Sequence, residues 1–301
     1  MAATTTFVLY KATVKPYEDD SYESLKEILD NPLDEYQPMA RNGEVFGLED
    51  KVRKTQGIYF GTFCLVQTRE LPQKVKFGEE PEDLFDDDDD EVGLGHYTSF
   101  FYDSVNDMIG IQSNRNGISA NGVAAFFRRN YNIHSILFEL VINPADLARL
   151  DNLTQVHSFE VSIAKLQDAQ AFGKNSKNAS FKEFTTIADN TDANVFRLYF
   201  GIGYQRNDSL SKRNIRKYLQ SIINNQGVSN VTKIEIRGRE GDDDNIEVID
   251  LINNKVKFIV TLPRSRYVDR VYTKSLVTKA ISGYQTILPE LNTYKIKAKG
   301  E

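Results

Sequence analysis

Residues 79–91 read EEPEDLFDDDDDE, and no globular core can hold them. An unpaired buried carboxylate is too costly, and this run has no cations interleaved to neutralise it. It lies between the near-continuously apolar segment Ile58–Thr68 and the aromatic segment Thr98–Tyr102. Any fold must therefore join those two through a solvated excursion. From Leu71 to Gly95 the chain is acidic and punctuated by Pro72, Pro81 and glycines. The composition predicts a polar loop, disordered in part.

Charge is partitioned along the whole chain. Residues 204–300 hold 18 of the 37 Lys and Arg but 10 of the 43 Asp and Glu, a balance of about +8, which leaves about −14 for the remainder. A polyanion responds to such a local basic surface rather than to the net charge of −6. The length of 301 residues and 40% hydrophobic content allow two domains with packed cores. No apolar run approaches a membrane span, and MAATTTFVLYKAT lacks the pattern of a secretory signal. The single cysteine, Cys64, sits in IYFGTFCLV and reads as a small buried hydrophobe in a reducing, cytoplasmic setting.

Periodicity gives the elements. Strands are predicted at Phe7–Val14, 44–53, Ile58–Thr68, Thr98–Tyr102 and Met108–Gln112, the last two as a hairpin. A helix capped by Asp20, with Leu25, Ile28 and Leu29 on one face, ends at Pro32. Ser119 caps a second helix bearing Val123, Phe126, Phe127 and Tyr131. A strand His134–Ile142, a short helix opened by Pro144, a strand through Phe159, Val161 and Ile163, and a polar helical excursion at 176–190 follow. The last third predicts a strand through Phe196–Ile202, a helix at 210–225, a strand Val231–Arg237, and a hairpin of Ile246–Ile252 with Val256–Leu262 across Asn253-Asn254. A final helix, Arg266–Leu288, is stopped by Pro289. The fold class is α+β: two lobes, each a mostly antiparallel sheet with helices on one face. The expected domains are 1–155, carrying the acidic loop 71–95, and the basic 156–301.

The cations of the last third have a pattern. On the helix 210–225, Lys212, Arg213, Arg216 and Lys217 span about 140° of arc opposite the apolar face. Lys233 and Arg237 alternate against Ile234 and Ile236, and Lys255 and Lys257 against Val256 and Phe258. Arg266, Arg270 and Lys274 make an i, i+4, i+8 stripe, with Arg239 and Arg264 at loop ends beside these elements. Each face alone is an ordinary solvated surface. Brought together, they form a platform for phosphates that carries little sequence preference. Arg115, in the turn Asn114-Arg115-Asn116-Gly117 before a helix, is a further phosphate candidate, with Gly117 expected at positive φ. The acidic run is either a solvated loop, a polyanion mimic lying over the basic surface, or a dock for a basic partner.

Chemistry is sparse. His96, His134 and His157 lack metal-ligand spacing, and there is no GxxxxGK[ST] or GxSxG. Gly201-Ile202-Gly203 lacks the third glycine of a dinucleotide loop. Asp242, Asp243, Asp244, Glu247 and Asp250 are the carboxylates a metal-dependent nuclease would use, although the run reads as a polar loop; Asp103 and Asp107 lie in a turn. The sequence therefore predicts no catalytic residue, metal or cofactor.

The segment Asp90–Phe127, DEVGLGHYTSFFYDSVNDMIGIQSNRNGISANGVAAFF, resembles the RexA-like phage-exclusion family. The shared features are an acidic stretch and glycine turn (Asp90–Gly95), a Ser-Phe-aromatic strand (Ser99-Phe100-Phe101), a short strand (Met108–Gln112), an arginine turn (Arg115) and a helix with late Phe126-Phe127. The order of elements is similar along most of the chain, though the acidic run here is longer. The resemblance implies a cytosolic homodimer that binds DNA, acts in antiphage defence by abortive infection, and signals to a separate membrane effector. The expected function is non-sequence-specific DNA binding that senses phage DNA intermediates, with duplex favoured because few aromatics interleave with the cations. The alternatives are a metal-dependent defence nuclease and a non-enzymatic adaptor that uses its acidic loop.

Overall fold

A computed structural model describes residues 2–15, 22–41, 44–78, 80–85, 92–141, 143–164, 195–203, 208–225, 231–241, 245–252 and 255–299. The predicted excursion at 176–190 and most of the acidic run's aspartates lie outside these residues. The fold class is mixed α+β with two sheets. The chain divides into two compact units, Met1–Leu137 with Phe258–Pro289, and Phe138–Lys257 with Glu290–Glu301. This differs from the expected boundary at 155/156. A stretch of the basic last third belongs to the first unit, for a reason visible in its core.

Among the described residues, nine strands form one sheet, most of it in the first unit, in the order β13-β1-β7-β6-β5-β3-β2, with β4 on β5 and β8 on β1. The strands are β1 (Ala2–Lys15), β2 (Met39–Arg41), β3 (Glu44–Leu48), β4 (Arg53–Thr55), β5 (Ile58–Gln67), β6 (Leu94–Asp103), β7 (Met108–Gln112), β8 (Ser135–Leu140) and β13 (Lys257–Pro263). β6 is central, antiparallel to β5 on one side and β7 on the other. Its consecutive Phe100 and Phe101 are fully buried and point to opposite faces. Phe100 meets Phe63 and Phe127, the latter from helix α2 (Ala120–Asn130). Phe101 meets Phe258 of β13 and Tyr284 of the last helix, α5 (Arg270–Lys299). Helices thus cover both faces of this sheet, where the sequence pointed to one. Phe258 also stacks on Phe7 of β1 at 5.8 Å, and this is why residues 258–289 return to the first unit.

Each phenylalanine crosses a glycine on the neighbouring strand. Phe100 pairs with Gly61 and Phe101 with Gly110. A Cβ on Gly61 would come within 2.9 Å of the Phe100 ring, and one on Gly110 would overlap the Phe101 ring. Asp103, at the end of β6, closes the turn to β7. It accepts from the Val105 and Asn106 amides and the Asn106 side chain, and receives the buried Tyr284 hydroxyl at 2.8 Å.

Several local expectations shift. Helix α1 runs Leu25–Asp30 and its cap is Ser24, which accepts from the Glu27 amide; Asp20 lies outside the described residues. The Glu27 carboxylate accepts from the amide of Glu23, the residue before the cap, and the helix is capped four residues later than expected. Ser119 caps α2 as predicted. The β12–β13 hairpin does not form. β12 (Glu247–Asp250) pairs with β11, whereas β13 joins the larger sheet. The expected Asn253-Asn254 turn lies outside the described residues, and β13 buries Val260 and Leu262, with Val256 just before it also buried. Pro289 lies inside α5 rather than ending it, and α5 starts at Arg270 rather than Arg266.

In the second unit, β9 (Gln155–Ala164), β10 (Val195–Gly201), β11 (Val231–Arg239) and β12 form a sheet in the order β10-β9-β11-β12. Helices α3 (Pro144–Asn152) and α4 (Lys212–Asn225) supply Leu150, Ile215 and Leu219 to one core with Phe159, Val161, Ile234, Ile236 and Ile249. The alternation of β11 leaves Lys233, Glu235 and Arg237 on the other face.

Gly110→Ala is expected to cost about 1–3 kcal/mol in urea unfolding, because the Phe101 ring is enclosed and cannot swing aside. Tyr284→Phe is expected to cost about 1–3 kcal/mol by leaving Asp103 short of a donor. Wild-type stability in both variants would contradict this packing.

Candidate nucleic-acid interface

The predicted cations divide between the two units, and much of their charge is already engaged. In the second unit, the half-buried Lys212 ammonium donates to the carbonyls of Asp151 and Leu153, tying off the end of α3 at 3.0 and 2.6 Å. Arg216 pairs with Asp151. Of the four cations of α4, only Arg213 and Lys217 point outward without a carboxylate partner among the described residues.

The sheet's outer face carries a ladder of opposite charges. Glu160 and Glu235 sit directly across from one another on β9 and β11. Both are nearly buried, beneath Arg197, Lys233 and Arg237. Lys233 bridges the two carboxylates at 3.1 Å each, Arg197 takes Glu160 at 2.7 Å, and Arg237 takes Glu235 at 2.6 Å. The Arg237 hydrogen bond, aided by Lys233, holds the Glu235 pKa below its ordinary value against the opposing effect of burial. Bonds to Glu160 and then Glu235 raise that of Lys233. Two like charges in adjacent strands repel, so the cations here stabilise the sheet. Arg239 donates to the Gln155 side chain at the edge. Lys255 and Lys257 have no carboxylate partner among the described residues, and Lys257 is exposed.

The carboxylates considered for metal chemistry are similarly occupied. Glu247 is held by Arg149, which also takes Asp146 at 2.8 Å. Asp250 accepts from the Ile252 amide, and Asp242–Asp244 lie outside the described residues. Cys64 is half-buried, and burial followed by the nearby Glu49 raises its pKa.

In the first unit the cations lie differently. A groove of about 320 Å³ is lined by Lys51, Arg53, Arg270 and Lys274 with Glu49 and Asp50. Arg270 donates to Glu49 at 3.1 Å and approaches Asp50 at 4.0 Å; Arg53 takes Asp50 at 3.2 Å. Four cations against two carboxylates leave the lining positive, with Lys51 also approaching Asp34 at 4.0 Å. Thr62, Thr273 and Ser275 also line it, their hydroxyls bonded to the Ser99 hydroxyl, the Arg270 carbonyl and the Val271 carbonyl. Residues 263–271, just before and at the start of α5, are all exposed and add Arg264 and Arg266. Asp269 caps α5, accepting from the Tyr272 amide at 2.8 Å. Arg266 therefore belongs to a loop, not to the helical stripe expected. Among the described residues Arg264, Arg266 and Lys274 have no carboxylate partner.

Sequence reading missed Lys51 and Arg53. The signal was the tetrad KVRK at 51–54, overlooked because it lies in the acidic half. Arg115 is exposed in its turn, as expected. Gly117 is not at positive φ. Its lack of a side chain instead lets Thr98 approach and accept from the Ile118 amide at 2.9 Å.

Glu235→Gln tests the ladder. A depressed carboxylate pKa contributes stability that is complete above the unfolded value of about 4.3 and is lost as pH falls through the folded value. Wild-type protein is therefore expected to lose unfolding free energy below about pH 4.3, and the variant to lose less over the same range. Identical acid profiles would show that the pairing contributes nothing.

The sequence matches the family described as "Family of unknown function (DUF6731)" over residues 35–272, and the chain belongs to that family. No curated protein matches it.

Proposed function

We propose that this member of the DUF6731 family is a DNA-binding protein that grips phosphates through the first unit, with Lys51, Arg53, Arg264, Arg266, Arg270 and Lys274 as its contacts. One observation carries the reading: the groove lining has twice as many cations as carboxylates, and the exposed loop beside it adds Arg264 and Arg266, which have no carboxylate partner among the described residues. Phosphates attract such a surface without regard to base sequence, and counterion release supplies the affinity. The charge ladder of the second unit is a poorer candidate because its cations neutralise Glu160 and Glu235. The likeness of Asp90–Phe127 to the RexA-like family supports a role in antiphage exclusion. In that role the protein senses phage DNA intermediates as a homodimer and signals to a membrane effector. No helix of the described residues is long and apolar enough to cross a membrane, which is compatible with a separate effector.

Fluorescence anisotropy with labelled oligonucleotides of unrelated sequence tests this. Affinities are expected to agree across sequences and to fall steeply with salt, the log–log slope being about −0.7 to −0.9 per phosphate contacted. Arg264→Glu, Arg266→Glu and Lys274→Glu combined should weaken binding at least about tenfold at low salt. Arg213→Glu with Lys217→Glu should change it less than about twofold. The reverse ranking would move the interface to the second unit. Absence of binding at low salt would remove the DNA assignment.

A further inference from the structure

We infer that the DNA held by this face is single-stranded, with the Tyr267 ring as a stacking surface for an unpaired base. The inference rests on the DNA-binding reading above and adds the strand state. The sequence pointed to duplex because few aromatics interleave with cations, but the exposed loop is the exception. In Arg264-Ser265-Arg266-Tyr267-Val268-Asp269-Arg270-Val271, an aromatic lies among three arginines. Tyr267 is 67% exposed, beside Val268 at 50% and Val271 at 73%. The Arg266 guanidinium lies 5.5 Å from the Tyr267 ring centroid.

The loop is anchored at both ends. The Ser265 hydroxyl accepts from the Tyr267 amide, Asp269 caps α5, and Lys279 donates to the Thr261 carbonyl of β13. Its backbone therefore presents the ring from a fixed start of helix. Tyr267 precedes Arg270 by three residues, so their Cα atoms are at most about 11 Å apart. Lys274 follows Arg270 by about one helical turn. A base on Tyr267 thus leaves its flanking phosphates within reach of Arg264, Arg266 and the cations of the groove. In a duplex every base face is already stacked, and Tyr267 would meet only backbone. An unpaired strand uses both the ring and the charges, the combination that general single-strand binders employ. Two valines and one tyrosine offer little apolar area for a lipid surface, and Asp269 among them opposes an anionic one.

The test compares oligothymidine with a mixed-sequence duplex of equal length, using the full chain, Tyr267→Ala and Tyr267→Phe. Wild-type protein is expected to prefer oligothymidine. Tyr267→Ala should weaken that binding about 5- to 100-fold while changing duplex affinity less than twofold, and Tyr267→Phe should retain it. Equal or tighter duplex binding, or equal losses on both ligands in Tyr267→Ala, would overturn the single-strand inference and leave DNA binding standing. Failure to bind either ligand would remove both. Binding to phosphatidylserine vesicles without binding to oligothymidine would assign the loop to a membrane surface and overturn the inference.

Discussion

Two adjacent phenylalanines set the architecture of the first unit. Because strand residues alternate, Phe100 and Phe101 demand burial on opposite faces of β6. That requirement calls for a cover on each side, and the chain supplies α2 for Phe100 and β13 with α5 for Phe101. Gly61 and Gly110 make room for the rings to lie flat across the neighbouring strands. Asp103 then fixes the second cover by a hydrogen bond from Tyr284, while the same carboxylate holds the β6–β7 turn. The need to cover Phe101 is thus what draws residues 258–289 out of the basic third of the sequence and places Arg264, Arg266, Arg270 and Lys274 on the first unit.

The consequence for function is a redistribution of charge. A linear count treats every lysine and arginine of the last third as available. Folding spends Lys212 on the carbonyls at the end of α3, Arg216 on Asp151, and Lys233 and Arg237 on two nearly buried glutamates. What stays positive is a smaller surface in the first unit, where Lys51 and Arg53 from the acidic half join cations from the start of α5.

Much of the fold was legible because local signals agreed. The hairpin of β6 and β7, the Ser119 cap of α2 and the inward residues of β9 and β11 followed from turn chemistry and alternation. The failures lie where long-range burial overrode a local signal. Asn253-Asn254 looked like a hairpin turn, yet β13 is recruited to β1 because Phe258 packs on Phe7 and Phe101. Pro289 looked like a stop, yet it sits inside α5. The candidate site was half legible for a related reason. Charge type and outward alternation can be read from sequence, but Glu160 and Glu235, far apart in the chain, become partners of Lys233 only through strand register.

On the DNA-binding reading, DNA lies against the first unit's cations and not against the charge ladder of the second. Amine acetylation read by mass spectrometry, with and without oligothymidine, addresses it directly. Lys51 and Lys274 are expected to become protected on adding DNA while Lys217 and Lys233 keep the reactivity they have without it. Protection confined to Lys217 and Lys233 would contradict this.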